Sequence, residues 1–321
     1  MSDVPLITQI QRFSVNDGPG FRTNVFVKGC NMRCMWCHNP ETIRPQRELL
    51  WRSNLCEQCG RCLEACPRNA INPPIDPELA RADDSSYNKI IRSNCDMCIK
   101  CVDVCVYGAL QVVGSELSIS DILDEVEQDR PFYENSGGGM NLSGGEPTVF
   151  PEFTTKLLEQ ARARGINSCL DTNGHCAPET IRSMLQNIDI VLYDLKHLDC
   201  EEHKKVTGVG NKLVLSNLRG LMELEKEVWL RIVVIPGLSD SMEYHERMVA
   251  FLQTLPTKPQ RIDLLPFHNW CEAKYKQLGI SDWAFADFQA LESTSVDPVL
   301  RLYQKTGLKA NIGGSGFEDA P

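Results

Sequence analysis

Eleven residues, CEQCGRCLEAC at 56–66, return as CDMCIKCVDVC at 95–105 with one spacing, C-x2-C-x2-C-x3-C. From about Trp51 to Leu110 there is little apolar periodicity, and Pro73, Pro74 and Pro77 interrupt any helix between the two runs. The stretch predicts a small module, 51–110, inserted into a larger domain made of 1–50 and 111–321. Residues 67–94 then form an irregular connection between its halves.

Outside that stretch, β-rich runs alternate with helical patterns. Strands are predicted at 23–29, 140–144, 167–173, 188–196, 228–237 and 261–268, with a weaker seventh at 308–314. FTTKLLEQARA places Phe153, Leu157, Leu158 and Ala161 on one helical face behind Pro151, and SISDILDEVEQ offers a serine cap before Ile122, Leu123 and Val126. Strand and helix in alternation imply an α/β fold with a parallel sheet. Glu146, Asp171, Asp194, Lys196 and His268 fall at or just past the C-terminal ends of different strands, and Arg231 lies within another. A full or partial barrel gathers such residues at one mouth.

The chain has 321 residues, 42% of them hydrophobic, enough for a sizeable core. Its net charge of -10, from 33 basic and 43 acidic residues with no basic stripe, argues against nucleic acid or an anionic membrane as partner. The early residues lack the apolar run of a signal peptide, and no later stretch approaches a membrane span. A cytoplasmic protein is expected, and its fifteen cysteines are then ligands or thiols rather than disulfides. Cys169, Cys176, Cys200 and Cys271 stand apart from the clusters as ordinary thiols.

The repeated runs match the bacterial ferredoxin pattern, in which three cysteines bind one [4Fe-4S] cluster and the fourth reaches across to the other. That predicts Cys56, Cys59, Cys62 and Cys105 on one cluster and Cys95, Cys98, Cys101 and Cys66 on the second. Zinc is the competing ligand for C-x2-C spacing. A third motif, KGCNMRCMWCHNPET, supplies Cys30, Cys34 and Cys37 but no fourth thiol, which leaves one iron of a cubane open to a bidentate ligand. CMWCH also matches the haem attachment pattern, and a zinc knuckle using His38 is a further alternative.

With DGPGFR before the triad and SGGEP, CLDTNG, VLYDLK, VWLRIVVIPG and LLPFH after it, the chain resembles the radical S-adenosylmethionine enzymes. More narrowly it is similar to the glycyl radical enzyme activating enzymes with a paired ferredoxin-like insert. PLITQIQRFS and RIDLLPFH look most like the activases of benzylsuccinate synthase and related systems. The resemblance implies an oxidoreductase built as a partial (β/α)6 TIM-like barrel, with three [4Fe-4S] clusters and S-adenosylmethionine on the open iron of the triad cluster. It implies that Trp36 and His38 flank the adenine, that Gly144, Gly145 and Glu146 meet the amino end, and that Asp194, Leu195, Lys196, Arg231 and His268 contact the cosubstrate. Asp171, Thr172 and Asp194 resemble a monovalent-cation site. The implied partners are a glycyl radical enzyme, whose glycine loses a Cα hydrogen under anaerobic conditions, and a flavodoxin or ferredoxin-type electron donor.

Overall fold

A computed structural model describes residues 4–82 and 86–317. Among them ten strands form: β1 (Leu6–Ser14), β2 (Arg22–Lys28), β3 (Glu48–Trp51), β4 (Leu110–Val113), β5 (Gly139–Gly144), β6 (Ser168–Thr172), β7 (Ile190–Asp194), β8 (Val228–Val234), β9 (Arg261–Pro266) and β10 (Ala310–Ile312). The seven expected strands are all present; β1, β3 and β4 were not expected. Eight strands make one sheet in the order β1-β2-β5-β6-β7-β8-β9-β10, parallel throughout except for the β1–β2 pair.

Side chains alternate across each strand, and here the two faces have different characters. Val25, Val27, Leu142, Leu170, Val191, Leu230 and Ile262 pack under the helices in the main core. The helix Pro151–Ala163 contributes Phe153, Leu157, Leu158 and Ala161, and starts on a proline whose missing N–H costs nothing there. Helix Ile119–Glu127 begins at Ser118, which exchanges hydrogen bonds with Asp121 in a capping box. The opposite face carries a small apolar floor of Cys169, Ile190, Leu192 and Trp229. Above that floor the lining turns polar.

The sheet curls strongly about this polar face. β1 and β8 stand five strand spacings apart, about 24 Å in a flat sheet, yet Arg231 Nη1 of β8 lies 3.5 Å from Asp17 Oδ1 just beyond β1. The two edges approach as well: the Gly316 amide donates to the Val15 carbonyl at 2.7 Å. Loops, not a ladder, close that side.

The segment carrying the repeats has its own core of Leu49, Trp51, Ile71, Ala80, Ile90, Ala109 and Leu110 among the cysteines. The antiparallel β3–β4 pair forms its stalk. The connection is less irregular than expected, because Asp76 caps a short helix, Pro77–Arg81, whose first residue is one of the prolines read as breakers. Ile71 and Ile90 also form a bridge. Among the described residues no helix is long and apolar enough to cross a membrane.

Candidate active site

The loop from Gly29 to Thr42, carrying the three spaced cysteines, sits past the C-terminal end of β2 and is gripped from four directions. The Glu146 amide donates to the Gly29 carbonyl at 2.8 Å. Arg33 and Met35 donate their amides to Thr207 and Val206 at 2.7 and 3.0 Å. Tyr275 Oη donates to the Cys37 carbonyl at 2.9 Å, and Trp283 Nε1 to the Met35 carbonyl at 2.8 Å. His38 Nε2 lies 3.1 Å from the His268 carbonyl. Tyr275 and Trp283 were missed because nothing local marks them; their rings stack at 4.7 Å on a segment far along the chain.

Burial pushes the thiols of Cys30, Cys34 and Cys37 upward, Cys30 to about 12, and Lys196 is the cation that opposes this at all three. Three sheltered sulfurs sharing one cation suit an anionic iron–sulfur group. Asn173, also missed, points its amide Nδ2 at Cys30 Sγ, 3.8 Å away, and at Asn31 Oδ1, 3.0 Å away.

The glycines of SGGEP leave no room for a side chain, though the neighbour that excludes one is the protein itself. A Cβ on Gly144 would collide with the Val27 backbone, and one on Gly145 with the Gly29 carbonyl. Glu146 is 0% exposed. Its Oε1 accepts from the Thr148 amide at 3.0 Å, Thr148 Oγ1 at 2.8 Å and Thr172 Oγ1 at 2.7 Å, while Oε2 accepts from the Asn173 amide at 2.7 Å. Burial still raises its pKa, against those donors.

On the polar face Lys196 Nζ pairs with Asp194 Oδ2 at 2.6 Å. Burial disfavours the ammonium, but Asp194 and the Cys34 sulfur outweigh burial and hold its pKa above the usual lysine value. Arg231 Nη1 lies 3.3 Å from Asp171 Oδ2, which also accepts from Ser143 Oγ at 2.7 Å. Burial raises the Asp171 carboxyl, and Asp194 and Asp17 add to that against the pull of Arg231. Thr172 faces the opposite way, toward Glu146, as its place beside Asp171 in a strand requires. The structure therefore does not bring the side chains of Asp171, Thr172 and Asp194 together as a cation site.

Trp36 is 3% exposed and turns into an apolar cluster, its ring 6.4 Å from that of Phe285. Beside it runs a row of His38, His268 and Trp270 rings with successive centroids 4.2 Å apart; His268 stacks on exposed Trp270 and lies tilted to His38. Burial lowers the pKa of His38 to about 4, which leaves that ring neutral near pH 7, and lowers that of His268 as well. Leu195 is wholly buried in the helix-side core, and its amide donates to the Arg231 carbonyl. Only its backbone faces the site.

In the insert the repeat extends to backbone conformation. Gln58 and Gly60 in the first run, and Met97 and Ile99 in the second, all have positive φ. Ile99 at 58° is strained for a β-branched residue, so its surroundings must enforce the turn. The turns frame two cavities. One is lined by Cys56, Cys59, Cys62 and Cys105; the other by Cys66, Cys95, Cys98 and Cys101. Each holds the crossed set of four expected from the spacing.

The Radical SAM superfamily matches residues 92–249, a 4Fe-4S dicluster domain matches 55–110 and a 4Fe-4S single cluster domain matches 16–70. The chain is 37% identical to the benzylsuccinate synthase activating enzyme of Thauera aromatica, over 97% of this chain and 93% of that one. It is 40% identical to the choline trimethylamine-lyase activating enzyme of Oleidesulfovibrio alaskensis, over 85% and 87%. With the trans-4-hydroxy-L-proline dehydratase activating enzyme of Clostridioides difficile it shares 34% identity, over 97% and 99%.

Proposed function

The chain belongs to the glycyl radical enzyme activating enzymes of the radical SAM superfamily, and from that premise we propose how its residues divide the work. The family's reaction is reductive cleavage of S-adenosylmethionine to methionine and the 5′-deoxyadenosyl radical that activates the partner enzyme; a cluster held by the triad cysteines would bind the cosubstrate and supply the electron. Everything else is geometry supplied by the chain.

Cys30, Cys34 and Cys37 would hold three irons of that cluster. Lys196 and Arg231 are the cations placed to receive the cosubstrate's carboxylate, with Asp194 and Asp171 keeping them charged. Two buried nitrogens without protein partners, Arg231 Nε and His268 Nδ1, are the observation that carries this reading, because burial without a bond is costly unless a ligand supplies one. His38 and His268 offer aromatic faces for the adenine, while Trp36 packs in the apolar cluster with Phe285. Gly144 and Gly145 bring backbone close to the amino end; Glu146 orders the turn around it.

We read the curled sheet as a partial barrel of the (β/α)6 type, residues 1–50 and 111–321, and 51–110 as a ferredoxin-like insert. The two cysteine cavities support two [4Fe-4S] clusters there, three in all, fed by a flavodoxin or ferredoxin-type donor. A cytoplasmic location fits fifteen unpaired thiols. Relatives named for different partner enzymes match at 34–40% identity, so overall likeness does not choose the partner.

Reduced, iron-reconstituted protein should release 5′-deoxyadenosine from S-adenosylmethionine under anaerobic conditions. Absence of that product with the triad cluster loaded would refute the assignment. With the right partner, electron paramagnetic resonance should show a glycyl radical doublet.

A further inference from the structure

Lys89 is 1% exposed and lines the cavity of Cys56, Cys59, Cys62 and Cys105. Its hydrogen-bond partners are neutral: Gln58 Oε1 at 2.8 Å and the Tyr87 hydroxyl at 3.3 Å, with the Tyr87 ring 5.8 Å away. Among the described residues it pairs with no carboxylate. A buried ammonium whose hydrogen-bond partners are all neutral leaves its charge to be balanced by an anion nearby. The cavity can supply one, because four thiolates outweigh the positive charge of an iron–sulfide core, and Lys89 is in electrostatic contact with the Cys62 sulfur.

The sister cavity is not built this way. Its charged residues are Arg68 and Asp96, which pair with each other at 2.6 Å on the surface and largely cancel. Around the first cavity, Glu57 pairs with Arg81, and Arg61 is exposed to water, which screens it. Beside the sister cavity, half-buried Arg92 acts on the Cys95 sulfur from outside the lining and donates to the Gln277 carbonyl. Among the described residues, Lys89 is thus the one fully buried cation in the lining of either cavity.

We propose that Lys89 separates the reduction potentials of the two insert clusters, raising that of the Cys56, Cys59, Cys62 and Cys105 site above its sibling. Reduction adds one electron and so one negative charge, with no bond made or broken, and a fixed cation in a sheltered site favours the reduced state. An electron entering the module then rests beside Lys89. The inference depends on the reading that both cavities hold clusters.

A dithionite titration of the fully reconstituted chain, followed by electron paramagnetic resonance, tests it. Two insert waves are expected. Lys89→Met should lower the upper wave by about tenfold in its reduction equilibrium, about 59 mV for one electron, and leave the lower wave in place. Lys89→Arg should keep both. Unchanged potentials in Lys89→Met with full iron content, or equal shifts in both waves, would overturn the proposal. If Lys89→Met does not load, single-cysteine variants decide: Cys59→Ser must perturb the upper wave and Cys98→Ser the lower, and the reverse order overturns the proposal. A wild-type insert that takes up no iron would overturn both the cluster reading and the role of Lys89.

Discussion

The side-chain amide of Asn173 reaches to 3.8 Å from the Cys30 sulfur while its backbone amide is fixed by Glu146 at 2.7 Å. A buried carboxylate on one strand end thus orients, through one residue, a donor to the Cys30 sulfur on another.

Asn173→Ala removes that donor. Hydrogen bonds to cluster sulfurs raise the reduction potential, so the triad cluster should become harder to reduce, and the yield of 5′-deoxyadenosine should fall roughly 10–100-fold. A redox titration together with a cleavage assay would show both effects. An unmoved potential would leave Asn173 as packing.

Glu146→Gln replaces one acceptor oxygen by a donor amide in a pocket that presents four donors. At least one of the Thr148, Thr172 and Asn173 donors then loses its partner, a destabilisation of about 1–3 kcal/mol. Thermal denaturation of the loaded protein should show a lower midpoint. Equal midpoints would mean the pocket relaxes around the amide.

The crossed ligand sets predict different consequences for single cysteines. Cys34→Ala should abolish cleavage, whereas Cys98→Ala should spare the triad cluster and retain cleavage with a chemical reductant. Iron content and 5′-deoxyadenosine yield check the pair. Equal loss of cleavage in a folded Cys98→Ala chain that still has its triad cluster would contradict the division of labour.

His245 is buried against the Tyr303 hydroxyl at 3.0 Å, and burial lowers its pKa to about 4. Its unfolded value is higher, about 6.5, so the unfolded chain binds the extra proton first. Stability from this site is complete above about pH 6.5 and is lost progressively toward pH 4. His245→Gln should therefore gain on the wild type as the pH falls from 8 to 5.5, by about 1.4 kcal/mol. Denaturation midpoints at the two pH values give the comparison; a constant gap would refute it.

Which parts of this could be read from residues alone follows from how local each signal is. The grouping of the insert cysteines around two cavities was legible because the repeated spacing sets it locally. The parallel strands were legible because β-rich runs alternate with helical patterns along the chain. β1 was not, since LITQIQRFS is an edge strand whose alternation is broken by two register shifts, with Phe13 at φ 59° near the second. Trp36 was expected to face the cosubstrate but turns toward Phe285, a distant partner that no local pattern announces. Thr172 was grouped with Asp171 by motif, although their adjacency in a strand sends them to opposite faces. Asn173, Tyr275 and Trp283 act through contacts between distant parts of the chain, and Lys89 is marked only by its burial beside Gln58 and Tyr87.

The grip of Tyr275 and Trp283 on the triad loop sets an order of assembly. The insert's ligands and stalk all lie within 48–113, so they leave the ribosome together, while the triad loop, made earlier still, lacks two of its clamps until most of the chain has been translated. Iron uptake by the insert before the triad is the order this predicts. Nascent chains stalled before residue 272 should carry iron in the insert alone; iron at the triad in those chains would rule this order out.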